Sequence, residues 1–152
     1  MADHRGRTDL LGPAGTVPRA GRRPRVVAAL RALPEDEPVL AEAVATACRL
    51  DGDLVLLHAV PLPFAERSVG LAEAVRAGEL LLAEATVRAS VHGRVPTDVS
   101  LERVRPHEMV GELLDADVLV IGGPRAGGCG RLGLVARSAT VHAPCTVLVV
   151  RR

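Results

Sequence analysis

Residues 117–150, DVLVIGGPRAGGCGRLGLVARSATVHAPCTVLVV, decide the fold because they combine two strands, a loop and a helix in one run. The segments DVLVIG (117–122) and TVLVV (146–150) are continuously apolar, which is typical of strands buried on both faces of a parallel sheet. Between them lie a glycine-rich loop and a helix predicted near residues 132–141. Two such strands joined through a helix are the repeating unit of an α/β fold.

The remainder of residues 24–152 shows the same alternation of strands and helices. Apolar runs predict strands at 25–30 and 54–60, an alternating run predicts a strand with one wet face at 98–104, and helices are predicted at 38–50, 66–91 and 107–114. A chain of 152 residues is the size of one domain. The sequence therefore predicts a single three-layer α/β domain with a five-stranded, mostly parallel sheet.

Residues 1–23 are rich in glycine, proline and arginine and show no periodicity, so we predict a disordered basic tail. Six arginines and two aspartates lie between Met1 and Arg25. Binding of nucleic acid by residues 5–25 is therefore an alternative function. The charges are scattered, which favours a solvated extension instead.

The composition excludes several classes of function. All nineteen basic residues are arginine, so a catalytic lysine and a P-loop lysine are both absent. Phe64 is the only aromatic residue, which argues against base stacking on single-stranded nucleic acid. The net charge of +1 provides no general attraction to DNA or anionic membranes.

The sequence also indicates where the protein acts. It contains neither a run of eighteen apolar residues nor an apolar N-terminal signal core, so we expect no membrane span and a cytoplasmic location. The odd number of cysteines, at Cys48, Cys129 and Cys145, suits a reducing compartment. No spacing of cysteine and histidine suits zinc, so we expect no metal site.

Three segments resemble the universal stress protein family. They are the ending Ala143-Pro144-Cys145 with Val147-Leu148-Val149-Val150, the run DADVLVIG before the loop, and LVLLHAV at 54–60. The resemblance covers residues 24–152. It implies a Rossmann-like fold of the adenine nucleotide alpha hydrolase-like type, with strand order 3-2-1-4-5. It also implies a cytoplasmic homodimer acting in stress responses, in a family with one ATP-binding branch and one branch that does not bind ATP.

Ligands in such sheets bind beyond the carboxyl ends of the strands, where the strand order reverses. The loops after 25–30 and 117–122 are the candidates, because glycines allow backbone N–H groups to approach an anion and arginines add charge. The candidate nucleotide-binding residues are Arg31, Gly122, Gly123, Arg125, Gly127, Gly128, Gly130, Gly133 and Val135.

The resemblance to the ATP-binding branch is incomplete. That branch has glycines separated by two and nine residues, followed by Ser or Thr. Counting from Gly122 places Arg125 and Val135 at the other glycine positions, whereas Gly133 is followed by Leu134. The loop is about two residues short, and Arg31 stands where the branch has an aspartate. The missing hydroxyl and the missing carboxylate together lower the expected ATP affinity about ten- to several-thousand-fold.

The last strand is expected at a sheet edge, although it is continuously apolar. A bare apolar edge invites pairing, so we predict a homodimer through the last strand. Coverage by the chain's own tail is the disfavoured alternative, because the tail is rich in glycine and proline. The strand residues expected in this interface are Thr146, Val147, Leu148, Val149 and Val150.

These observations favour a non-catalytic stress-response module with weak or lost ATP binding and protein partners that the sequence does not identify. The alternative is an adenine-nucleotide switch that uses the loop 122–133, with ATP as its cofactor. A hydrolase is disfavoured because the loop has no nearby carboxylate to hold a metal. His58 is interpreted as a core or strand-end histidine and the pair His142 and Cys145 as structural, whereas Cys129 is a candidate redox sensor.

Overall fold

The computed structural model describes residues 9–11, 21–60, 68–111, 114–125 and 132–152. These residues form six strands and four helices, numbered in chain order. The strands are β1 Asp9–Leu11, β2 Arg25–Ala29, β3 Asp53–Ala59, β4 Thr97–Glu102, β5 Val118–Gly122 and β6 Thr146–Val150. The helices are α1 Glu37–Leu50, α2 Ser68–His92, α3 Pro106–Met109 and α4 Leu134–His142.

The strands form one sheet in the order β1-β6-β5-β2-β3-β4. The five strands from β2 to β6 are parallel, and their order is the predicted 3-2-1-4-5. The central strands β2, β3 and β5 are apolar, as is β6, whereas β4 lies at the edge, as its alternating pattern predicts. The predicted α/β fold is therefore confirmed.

The sixth strand, β1, was not expected from the sequence. It lies within the tail predicted to be disordered, and it pairs antiparallel with β6, with Asp9 opposite Val149 and Leu11 opposite Val147. The chain's own tail thus covers the apolar edge, which is the arrangement that the sequence disfavoured. The backbone of the short run Asp9–Leu11 can supply ladder hydrogen bonds despite the glycine and proline around it. A homodimer through β6 stays a prediction.

Aliphatic side chains fill the core on both faces of the sheet. On one face α1 and α2 pack through residues such as Leu40, Val44 and Leu82. On the other face α4 packs through smaller groups that include Ala136 and Ala139, and Met109 of α3 packs against the same cluster. None of the helices in the described part of the chain has the length and apolar composition that a membrane crossing requires.

The bounds of α1 fix the position of the loop that follows β2. The acidic run PEDE ends at the helix start, where Glu37 suits the positive end of the helix and Pro38 suits its first turn. Asp36 is the N-cap residue and is 2% exposed. The helix ends at Asp51, whose left-handed backbone (φ 49°) is followed by Gly52.

Helix α3 is shorter than the helix predicted at 107–114. The structure places it at Pro106–Met109, followed by a turn at Val110. Its buried end, Val110, packs in the same core cluster as Ala136 of α4.

Candidate functional site

The carboxyl ends of β2 and β5 meet at the centre of the sheet. The chain leaves β2 through α1 toward β3 and leaves β5 through α4 toward β6, so the two connections depart in opposite directions. This divergence opens the crevice where open α/β sheets bind ligands. A cavity of ≈ 540 Å³ lies there, a volume typical of small-molecule sites.

Three strands, two helices, the loops next to them and the segment after β6 form the walls of this cavity. The lining residues are Ala29, Leu30, Arg31, Asp36, His58, Ala59, Met109, Ile121, Gly122, Gly123, Pro124, Gly133, Leu134, Val135, Ala136 and Arg152. Most are apolar, and the charged groups among them are two guanidinium groups and one carboxylate. The cavity therefore suits a ligand with a flat or apolar body and a small polar group.

Asp36 folds back onto the loop that follows β2. Its Oδ2 atom accepts hydrogen bonds from the backbone N–H of Arg31 at 2.6 Å and of Ala32 at 3.0 Å. The sequence places Arg31 where the family's ATP-binding branch has an aspartate. Asp36 brings a carboxylate to the same loop from five residues further on. Asp36 is almost completely buried and forms part of the cavity wall.

Arg152 crosses from β6 to this carboxylate. Its Nη1 atom lies 2.9 Å from Asp36 Oδ1, and its Nε–H donates to the carbonyl oxygen of Gly123 at 3.1 Å. The backbone N–H of Arg152 donates to the carbonyl oxygen of Pro124 at 3.4 Å. The side chain is therefore held over the end of β5, next to the crevice.

Gly122 makes room for that guanidinium group. A Cβ atom at this position would lie 2.8 Å from Nε, 2.9 Å from Cδ and 3.1 Å from Cζ of Arg152. The Arg152 side chain thus packs directly on the backbone of Gly122. A larger residue at this position would displace the Arg152 side chain.

The start of α4 contributes positive potential to the cavity. Its N-cap, Gly133, offers no side-chain hydrogen bond, and its first turn has no acidic residue. The free N–H groups and the dipole of a helix start favour an anion. Leu134, the first residue of α4, is 65% exposed and offers no hydroxyl.

His58 forms part of the wall at the end of β3. Its Nδ1 atom lies 2.8 Å from the carbonyl oxygen of Leu30, so this nitrogen carries the proton and donates, because a carbonyl oxygen can only accept. The ring is half-buried. This is the strand-end histidine that the sequence predicts, with a structural hydrogen bond.

The structure brings together five of the nine predicted site residues. The five at the cavity are Arg31, Gly122, Gly123, Gly133 and Val135. Arg125 is exposed and does not line it, and Gly127, Gly128 and Gly130 lie outside the described residues, as does Cys129. A role of these residues in binding nucleotide stays a prediction.

Asp36 and Arg152 were missed as site residues. Asp36 belongs to the acidic run PEDE, a pattern that by itself indicates only the start of a helix. Arg152 could have been found from topology, because it follows a parallel strand and must lie at the edge of the sheet where ligands bind.

Comparison with known proteins identifies the family. A sequence model described as Universal stress protein family matches residues 23–151. The chain belongs to the universal stress protein family. The curated proteins include none that matches it.

Solved structures of universal stress proteins share the fold at low identity. One in complex with cAMP is 20% identical with a TM-score of 0.67, covering 84% of this chain and 96% of its own. One from Archaeoglobus fulgidus in complex with dAMP is 22% identical with a TM-score of 0.64, covering 84% and 96%. One from Arabidopsis thaliana with AMP bound is 18% identical with a TM-score of 0.60, covering 85% and 92%.

Proposed function

We propose that this universal stress protein is a non-catalytic, cytoplasmic binding module that takes an adenine nucleotide with a short phosphate chain and holds ATP weakly or not at all. The observation that carries the proposal is the cavity between β2 and β5. It joins apolar walls, two guanidinium groups and the start of α4 in one site.

The shape and chemistry of the cavity favour a nucleoside with one phosphate. Small apolar residues, including Ala29, Ala59 and Val135, form walls against which a planar base can pack. The related structures that hold cAMP, dAMP and AMP have the same fold and family, which supports an adenine nucleotide as the ligand.

A longer phosphate chain loses partners at the start of α4. Leu134 follows Gly133 at the start of α4 and offers no hydroxyl to a phosphate. A missing hydrogen bond to a charged phosphate lowers affinity by about 1.5–3 kcal/mol. ATP therefore binds about tenfold or more weakly than AMP.

Two observations support binding without catalysis. Among the residues that the structure describes, no group of three or more His, Cys, Asp and Glu side chains could hold a metal ion. The one carboxylate of the cavity, Asp36, already accepts three hydrogen bonds. Release of inorganic phosphate from ATP in the presence of magnesium would instead support a hydrolase.

The proposal includes a homodimer formed on the β6 side of the sheet. Leu134 and Val141 on α4 are 65% and 74% exposed, which supports apolar contact with a second copy. A contact through the strand edge itself requires release of β1 from β6. Light scattering on the full chain and on a variant without residues 1–20 tests this, with more dimer expected in the shortened variant. Monomers in both would contradict it.

Calorimetric titration tests the ligand. We expect AMP to bind below millimolar concentration and magnesium-ATP to bind about tenfold or more weakly. Equal affinity for both would favour the alternative of an ATP-binding switch. An absence of heat with AMP and ATP up to millimolar concentration would contradict a nucleotide function.

A further inference from the structure

We propose that Arg152 is the phosphate-binding residue of the cavity and makes the site selective for a nucleoside monophosphate over the uncharged nucleoside. This inference rests on the proposed nucleotide function and names the group that recognises the phosphate. It assigns the role to a residue outside the glycine-rich loop of the family's ATP-binding branch.

The guanidinium group of Arg152 is held in place with donors to spare. It has five N–H groups, of which one bonds Asp36 and one bonds the carbonyl of Gly123. The other three have no hydrogen-bond acceptor among the residues that the structure describes. Because two fixed contacts already orient the planar group, little rotamer freedom remains to be lost when a phosphate binds.

Asp36 does not cancel the attraction of Arg152 for an anion. Asp36 is 2% exposed, and its carboxylate also accepts hydrogen bonds from two backbone N–H groups. Arg31 is a second cation of the cavity, and its side chain has no partner within the described part of the chain. Among the lining residues Asp36 is the only acid, so the cavity carries a net positive charge.

Arg152 need not move for a ligand to enter. The volume of ≈ 540 Å³ is present while Arg152 lies across Gly122 as part of the wall. This volume is within the range of roughly 300–1,000 Å³ that small-molecule sites have. Arg152 therefore forms part of the cavity wall and has free hydrogen-bond donors. A blocking role, in which its side chain must move out before a ligand binds, is disfavoured.

The test is calorimetric titration of AMP and adenosine into the full chain and three variants. In Arg152→Ala we expect AMP affinity to fall about 10- to 100-fold, while adenosine affinity changes less than about twofold. Arg152→Gln keeps a hydrogen-bonding side chain without the charge and should lose most of the preference for AMP. Arg151→Ala is the matched control, because it removes the same charge from the neighbouring exposed residue.

The outcomes separate this inference from the function on which it rests. AMP binding that is equal in the parent chain and in Arg152→Ala would overturn the role of Arg152 and leave the nucleotide function standing. Tighter AMP binding in Arg152→Ala would show that the Arg152 side chain blocks the cavity, and it would also overturn the phosphate-binding role of Arg152. No AMP binding by the parent chain would overturn both. Thermal unfolding of each variant, measured without ligand, shows that an affinity loss occurs in folded protein.

Discussion

The two ends of the sheet carry the same ion pair in different surroundings. At the carboxyl end, Arg152 binds Asp36 at 2.9 Å, with side chains 17% and 3% exposed. At the amino end, Arg22 binds Asp115 at 2.9 Å, with side chains 42% and 46% exposed. The hydrogen bond with Asp115 raises the pKa of Arg22 above its ordinary value. The difference in burial determines what each pair does.

At the amino end the pairs balance charge in solvent. Arg22, Arg23 and Arg25 are three of the six arginines between Met1 and Arg25, and each lies within 4 Å of an aspartate oxygen. These pairs reduce the free charge with which residues 5–25 could attract nucleic acid. At the carboxyl end the pair instead orients a donor beside a cavity. We infer that burial turns the Arg–Asp pair into part of a site.

The largest expected effect is the difference in thiol labelling between Cys145 and Cys48. Cys145 is buried although it lies at the amino end of the sheet, so not every group at that end is exposed to solvent. Burial, and then Asp117, raise the pKa of the Cys145 thiol to about 11, against a smaller lowering by a backbone hydrogen bond with Leu119. Cys48 is exposed. At pH 8 we expect a thiol reagent to label Cys48 at once and Cys145 about a thousandfold more slowly, through unfolding. Mass spectrometry of tryptic peptides separates the two, and comparable labelling of both would contradict the buried environment.

Removal of Asp36 should affect stability most strongly. Asp36→Ala leaves Arg152 and two backbone N–H groups without their acceptor, so we expect the free energy of unfolding to fall by about 3 kcal/mol. Urea unfolding measures the loss. Asp115→Ala is the matched control at the amino end and should shift the urea midpoint much less, because water replaces its contacts. Equal shifts of the urea midpoint in the two variants would contradict the claim that the buried pair contributes more to stability than the exposed pair.

Gly122→Ala should move the Arg152 guanidinium without removing it. The new methyl group would occupy the space of Arg152 Nε and Cδ, so we expect AMP to bind about tenfold more weakly in a titration. Gly70→Ala, at an exposed position of α2 away from the cavity, is the control, since a methyl group there meets no atom within 4 Å in the described structure. An unchanged AMP affinity in Gly122→Ala would show that the position of Arg152 is irrelevant to binding.

Glu37, next to Asp36, should give the smallest effect because its partners are exposed to solvent. A hydrogen bond with His92, and then contacts with Arg88, hold its pKa below the ordinary value, while partial burial opposes them. A carboxyl group whose pKa is lowered in the folded protein stabilises the fold at pH values above its ordinary pKa. This stabilisation is lost as the pH falls through the lowered pKa. At pH 7 we expect Glu37→Gln to lose at most about 1 kcal/mol.

Urea unfolding at pH 7 and pH 3 checks the pH dependence of Glu37. The difference between Glu37→Gln and the parent chain should shrink at pH 3, where the carboxylate becomes protonated. Glu79→Gln, at an exposed position of α2, provides the control. A difference that is the same at both pH values would show that the Glu37 charge is not the cause.

The sequence predicts those features that local patterns determine. Apolar runs place β2, β3, β5 and β6 within about two residues, and alternation identifies β4 as an edge. The family resemblance predicts the strand order. The positions of these strands follow from the hydrophobic pattern within each short segment, so no information from distant residues is needed to predict them.

The missed features depend on residues far apart in the chain. Arg152 and Asp36 are 116 residues apart, and their contact exists only once β6 lies beside β5. Strand β1 has three residues, and β6 determines its pairing. For Leu134, the sequence shows that it follows Gly133. Only the structure shows that it is exposed at the start of α4.

A crystal structure of the full chain with AMP tests most directly whether the buried pair builds the site. The account predicts phosphate oxygens within hydrogen-bond distance of the Arg152 guanidinium, with the contact between Arg152 and Asp36 retained. A phosphate bound elsewhere, or an Arg152 side chain displaced from Asp36 by the nucleotide, would contradict it.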